Sequence, residues 1–249
     1  MLPQKNNYSF FKFMKKVIYI VCLFTLLKSQ GQTSTSIFGK NALVNLENFD
    51  KQRVYFGFFL GFNAYEFKLD YKNENPNKEI VVNNTTGFNV GLVADLRLHE
   101  YINLRFEPGL YYTQRDLVYK GFTKELDYLR EVKSTYIHLP LLLKFSSKRV
   151  GNIRPFLLGG VSATLNLASN NESTDDNLQQ RFRVQRWTQN YEIGFGMDFY
   201  LEYFKFSPSI RGVFGINDEL IRDKDPLSPW TSNIDALRTR AVLINFTFH

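Results

Sequence analysis

The sequence predicts an all-β fold: an eight-stranded antiparallel up-and-down transmembrane barrel of the outer-membrane type, following a cleaved signal peptide. Three observations predict it. Apolar residues recur at every second position through most of the chain after residue 53. The segments between these stretches are by turns long and short. Past the N-terminus, no apolar run reaches the roughly 18 residues that a membrane-spanning helix needs. Aromatic residues, mostly Phe and Tyr, make up 16% of the chain, and both favour strands over helices.

The N-terminus carries the marks of export. Lys15 and Lys16 precede an apolar stretch at 17–27 that is too short to span a bilayer. Ser29, Gln30 and Gly31 then place small residues at the −3 and −1 positions, so cleavage after Gly31 is expected. This makes 1–31 a signal peptide, with Met14 as a possible natural start, 32–52 a periplasmic lead-in and 53–249 the barrel. The single cysteine, Cys22, lies inside the apolar stretch behind Val21, which is too large for a lipidation site. The processed chain then has no cysteine, which excludes disulfides and thiolate metal sites. The net charge of +7 also comes largely from this region: residues 1–32 hold five lysines and no acid, so the rest carries +2. Nucleic-acid binding has little electrostatic support at that charge.

The strands are expected near 53–67, 85–98, 101–116, 132–146, 153–167, 187–200, 203–216 and 239–249. The clearest is 191–199, where Tyr191, Ile193, Phe195, Met197 and Phe199 oppose Glu192, Gly194, Gly196 and Asp198. Val242, Ile244, Phe246 and Phe248 oppose Leu243, Asn245 and Thr247 in the same way. Most of these segments exceed the 9–11 or so residues that a tilted strand needs to cross the hydrocarbon. The intervals 68–84, 117–131, 168–186 and 217–238 are long, and those between them short. Outer-membrane barrels have short periplasmic turns and longer outer loops, so both termini are expected on the periplasmic side.

One face of the strands is almost purely apolar. The other carries Asp95, Arg97, Arg105, Glu107, Glu192, Asp198, Lys205 and Arg211. In lipid the apolar face turns outward, and an eight-stranded interior is just wide enough for side chains to fill. These eight residues are therefore expected as an ion-paired network inside the barrel, with Gly109, Gly194 and Gly196 making room for the longest. Tyr112, Tyr136, Trp187, Tyr200 and Tyr203 lie near strand ends and are expected in the aromatic girdles. Pro108, Pro140 and Pro208 fall within strands and predict bulges or shorter strands, and Gly159-Gly160 a bulge or close packing.

No catalytic constellation is evident, and the chain is read as a non-enzyme without cofactor, metal or small-molecule substrate. His138 has inward phase, but no serine at recognisable spacing accompanies it, and the acids of the charged face lie beside arginines. Asp175-Asp176 lacks the spacing of a calcium loop. The segment 217–238 contains Pro229, Trp230, Thr231, Asn233 and Asp235. It reads as an ordered surface for a partner, or equally as a lid packed on its own barrel.

The run Tyr136-Ile137-His138-Leu139-Pro140-Leu141-Leu142-Leu143-Lys144-Phe145 resembles a strand of the Bacteroidetes outer-membrane β-barrel (PorT-like) family. Ile153-Arg154-Pro155-Phe156-Leu157-Leu158-Gly159-Gly160 resembles the strand that follows it there, so Pro140 and Pro155 belong to the family pattern. Further similarity lies in Asn45-Leu46-Glu47-Asn48-Phe49-Asp50, in Phe206-Ser207-Pro208-Ser209-Ile210-Arg211 and in Pro229-Trp230-Thr231-Ser232-Asn233-Ile234-Asp235. The resemblance implies an outer-membrane location and a role in the type IX secretion system, in protein export and gliding motility. Its implied partners are outer-membrane lipid and other secretion components. A structural or adhesive barrel and a narrow porin-like channel remain as alternatives.

Overall fold

A computed structural model describes residues 44–73, 80–120, 122, 128–169, 182–223, 228 and 230–249. The expected signal peptide, Asp175-Asp176 and Pro229 lie outside these described residues. Within them are ten antiparallel strands: β1 (Val54–Tyr71), β2 (Ile80–Asn84), β3 (Thr86–His99), β4 (Ile102–Phe106), β5 (Gly109–Tyr119), β6 (Leu129–Ser146), β7 (Ile153–Asn166), β8 (Trp187–Tyr200), β9 (Lys205–Gly215) and β10 (Ile234–Phe248). β1 pairs with both β10 and β3, so the sheet closes on itself.

One of the eight expected strands, 101–116, is seen as two, and β2 adds a strand within the expected long interval 68–84. β2 and β3 are separated by the single residue Thr85, and both pair with β5. β4 and β5 are separated by Glu107-Pro108, and both pair with β6 in one unbroken register. Proline has no N–H to donate, which interrupts the ladder, but its carbonyl still accepts from Leu92 at 3.0 Å. The barrel therefore has eight staves. The other prolines produce no bulge: Pro140 pairs with Ser162, Pro155 with Met197 and Pro208 with Phe246, all in continuous register. Gly159-Gly160 is likewise unbulged, and only Gly160 is closely packed, against the Leu141 backbone.

The registers fix the geometry. Glu66 pairs with Arg240, then in turn come Phe214, Tyr191, Val161, Leu141, Phe106 and Ala94. The circuit returns to β1 at Phe56, ten residues below its start. A shear of ten on eight staves, with about 3.3 Å per residue and 4.8 Å between strands, tilts the strands by about 40°.

Outward side chains form a belt. Phe56 is 72% exposed, Leu92 66%, Ile193 64% and Leu157 62%, an apolar surface suited to lipid and not to water. On β1 the belt runs from Val54 to Phe62, which at this tilt spans roughly 20–25 Å. Above it, towards the long loops, the outward residues become Glu66, Lys68 and Asp70, faced by Arg240 and Arg238 on β10. Gln114 and Asp116 face Lys133 and Glu131 at the same height on β5 and β6. The interior inverts with them. Phe67, Ile80, Leu117, Tyr119, Val132, Ile234 and Leu237 form an apolar cluster inside this upper collar. The strands thus run beyond the expected ends, β1 to Tyr71, β6 from Leu129 and β10 from Ile234. Within the belt the barrel is apolar outside and polar inside; in the collar it is the reverse.

Candidate functional site

Because successive side chains point to opposite faces, the charged positions of each stave meet in the lumen. Arg105 on β4 donates to both oxygens of Asp95 on β3, with contacts of 2.7–3.1 Å, and to Glu107 at 3.1 Å. Glu107 also accepts from Arg211 on β9 at 2.8 Å, and Arg211 lies 3.0 Å from Glu192 on β8. Glu192 continues to Nε2 of His138 at 2.8 Å, and Nδ1 of that ring meets Thr164 at 2.8 Å. Asn190 donates to the same hydroxyl at 3.0 Å. Hydroxyl, imidazole and carboxylate are aligned as in a nucleophile relay. All three are nonetheless buried, with His138 fully enclosed against Tyr111.

A second group lies towards the short turns. Lys144 donates to both oxygens of Asp198, at 2.7 and 2.8 Å, and Ser207 to one at 2.6 Å. Lys205 faces the rings of Tyr55 and Phe49, at 4.3 and 4.6 Å, in place of an oxygen. Six of the eight expected network residues are therefore ion-paired in the lumen, in two groups, and Lys205 is enclosed there against rings. Arg97 is not among them: it lies at the rim, where the strand leaves the interior, and donates to the Lys51 carbonyl. Lys144 and His138 were readable from their inward phase; Tyr55, Asn63, Asn89 and Asn245 join the interior as neutral groups.

Both mouths are filled. At the short-turn end residues 44–52 of the lead-in fold back across the mouth. Asn45 bonds Asn152 at 2.9 Å and the Tyr200 carbonyl at 3.1 Å, and the Tyr200 hydroxyl donates to Asp50 at 2.7–2.8 Å. Arg149 donates to the carbonyls of Asn45 and Leu46, holding Leu46 at φ 49°. Tyr200 and Tyr136 thus face inward and are not girdle residues; Tyr112, Trp187 and Tyr203 face outward.

At the long-loop end, residues 217–223 turn inward. Val184 bridges to Leu220, and the Glu219 carboxylate accepts from the Thr239 N–H at 2.8 Å and its hydroxyl at 2.9 Å. Burial holds the Glu219 carboxyl above its ordinary range, with Arg115 and the Thr239 bonds opposing. Asp218 shifts downward: its modest burial is outweighed by the N–H groups of Leu237 and Leu220 and by Arg222. Trp230 stacks on Phe122 at 5.9 Å, with the Arg130 guanidinium 5.2 Å from its ring. Thr231 is buried on Asp223, Asn233 bonds the backbone of Asn73, and Asp235 is exposed. The described residues of the loop pack as a lid, with Trp230 turned to its own barrel.

A model of the outer membrane protein beta-barrel domain matches residues 30–220. The chain belongs to this family. This outer-membrane barrel has no match among curated proteins. Among solved structures it is similar to OprG from Pseudomonas aeruginosa, at 17% identity over 78% of this chain and 92% of that one, with a TM-score of 0.42. The outer membrane protein AlkL in lipid bilayers is similar at 14% identity over 85% and 92%, TM-score 0.39. Ail of Yersinia pestis is similar at 11% over 78% and 96%, TM-score 0.32.

Proposed function

We propose that this barrel is a component of the type IX secretion system of the PorT kind (SprT in gliding bacteria). It acts by contacts with other secretion components and not by catalysis or conduction. The observation that carries the reading is the similarity of Tyr136–Phe145 and of the Pro-Trp-Thr segment at 229–235 to that family. The filled lumen supports the manner of action: charged pairs occupy its width, and residues 44–52 and 217–223 cover its ends. In this reading the signal peptide is removed, both termini lie in the periplasm and the long loops face outward.

An in-frame deletion in the native host tests the role. Proteins with type IX sorting domains are expected to vanish from the medium and to return with a plasmid copy; unchanged secretion would leave a structural or adhesive barrel. The polar outer face of the collar favours that second reading, since it presents ordered strand surface beyond the membrane. Purified protein in planar bilayers is expected to show no steady conductance. Large stable openings would favour a porin-like channel instead.

A further inference from the structure

We propose that a groove on the outward face, where β1, β10, β9 and β8 leave the belt, binds the phosphate-bearing headgroup of an outer-leaflet glycolipid. The inference rests on the reading that the long loops face outward. The groove has a volume of about 270 Å³ and is lined above by Lys68, Arg238 and Arg240 and below by Tyr191 and Phe214. The two rings stack at 5.0 Å and 17°. The register runs from Arg240 through Phe214 to Tyr191, so the cation sits directly beside the top of the aromatic belt. That is the level at which phosphates meet the acyl region, and where basic side chains recognise anionic headgroups.

The charge is local to this sector. At the same height other staves present Thr86, Gln114, Thr135 and Gln189, and Lys133 is held by Glu131 at 2.8 Å. Asp70 pairs with Lys68 at 3.0 Å and with Arg238 at 2.9 Å. It lies two positions further from the belt than Lys68, and so fixes both cations from the solvent side. Among the described residues, no carboxylate lies within 4.0 Å of Arg240; its cross-strand neighbour Glu66 is the one acid at its level. Arginine suits this place because its planar fork can hold two phosphate oxygens at once. The stacked rings beneath offer an apolar floor for a sugar face or the first acyl carbons.

The test is native mass spectrometry of the full chain released from detergent micelles, after incubation with diphosphoryl lipid A. The wild-type chain is expected to retain one lipid. The triple variant Lys68→Ala, Arg238→Ala, Arg240→Ala is expected to retain it at least tenfold less, and Glu66→Gln to retain more. Folding of each variant is checked by its heat-dependent mobility on gels, and Arg240→Gln alone serves if the triple variant does not fold. Equal retention by the Arg240 variant, or equal retention of fully dephosphorylated lipid A, would overturn the site. Preference for phosphatidylglycerol would overturn the outer-leaflet assignment, and displacement by millimolar inorganic phosphate would reduce the groove to a free-anion site. The readout is independent of secretion, so it stands or falls separately from the proposed role.

Discussion

Glu107→Ala is expected to lower the unfolding free energy by about 3 kcal/mol, the lower end of the cost of removing one partner from a buried ion pair. Glu107 is 2% exposed and bridges two guanidiniums from different staves, Arg105 and Arg211. Its loss leaves each with a single carboxylate neighbour, Asp95 and Glu192 respectively, in a lumen buried from bulk solvent. Those remaining pairs are why the cost stays at the lower end. Urea unfolding in lipid vesicles, followed by the fluorescence of Trp187 and Trp230, measures it. Glu131→Ala, which removes an exposed, solvent-screened pair with Lys133, is the reference and should leave stability nearly unchanged. A Glu107 effect no larger than that reference would mean that the lumen is wet and the network is not structural.

Gly194→Val is expected to abolish folding, while Gly159→Ala leaves it unchanged. The two glycines belong to adjacent staves and look alike in sequence. Gly194 faces inward opposite Arg211, and a Cβ there would lie 2.5 Å from the Ile210 carbonyl oxygen and 2.9 Å from the Arg211 Cα. Both are backbone atoms of a paired strand, so relief would require parting β8 from β9, beyond the 1–3 kcal/mol or so of ordinary overpacking. Gly159 faces outward, with nothing within 4 Å of its notional Cβ. Retention of the compact gel mobility after refolding separates the outcomes. A folded Gly194→Val would show that the two staves do not approach as closely as described.

Much of this architecture was legible in the sequence because period-two alternation fixes which face each residue takes. Glu192 and Asp198 fall inside with Arg211 on phase alone, since one residue of slip would put them in lipid. The same reasoning failed wherever the solvent outside changed. At Glu66, Lys68 and Asp70 the alternation continues, but its apolar half is now Phe67, Leu69 and Tyr71 on the inner face. Read against the lower part of β1, that inversion looks like the end of a strand, and so the collar was taken for loop. Arg97 was misplaced for a related reason: its phase is inward, but it stands at the stave's end, where the interior opens to the rim. Tyr200 sits at a strand end and Tyr136 near the expected start at 132, as girdle residues would, yet their phase is inward, and phase decides. Glu219 gave no signal, and for 217–238 the partner surface and the lid stayed equally open, because an irregular segment has no period to read.

The inversion also gives the molecule a waterline. Sinking by two residues of strand, roughly 5 Å along the membrane normal at this tilt, would carry Arg240 and Glu66 into hydrocarbon; rising as far would lift Phe62 and Val242 into water. Displacement in either direction is opposed, so the chain floats at one draught. A bilayer of another thickness must bend to meet the barrel, at a cost of fractions of a kcal/mol for each ångström of mismatch.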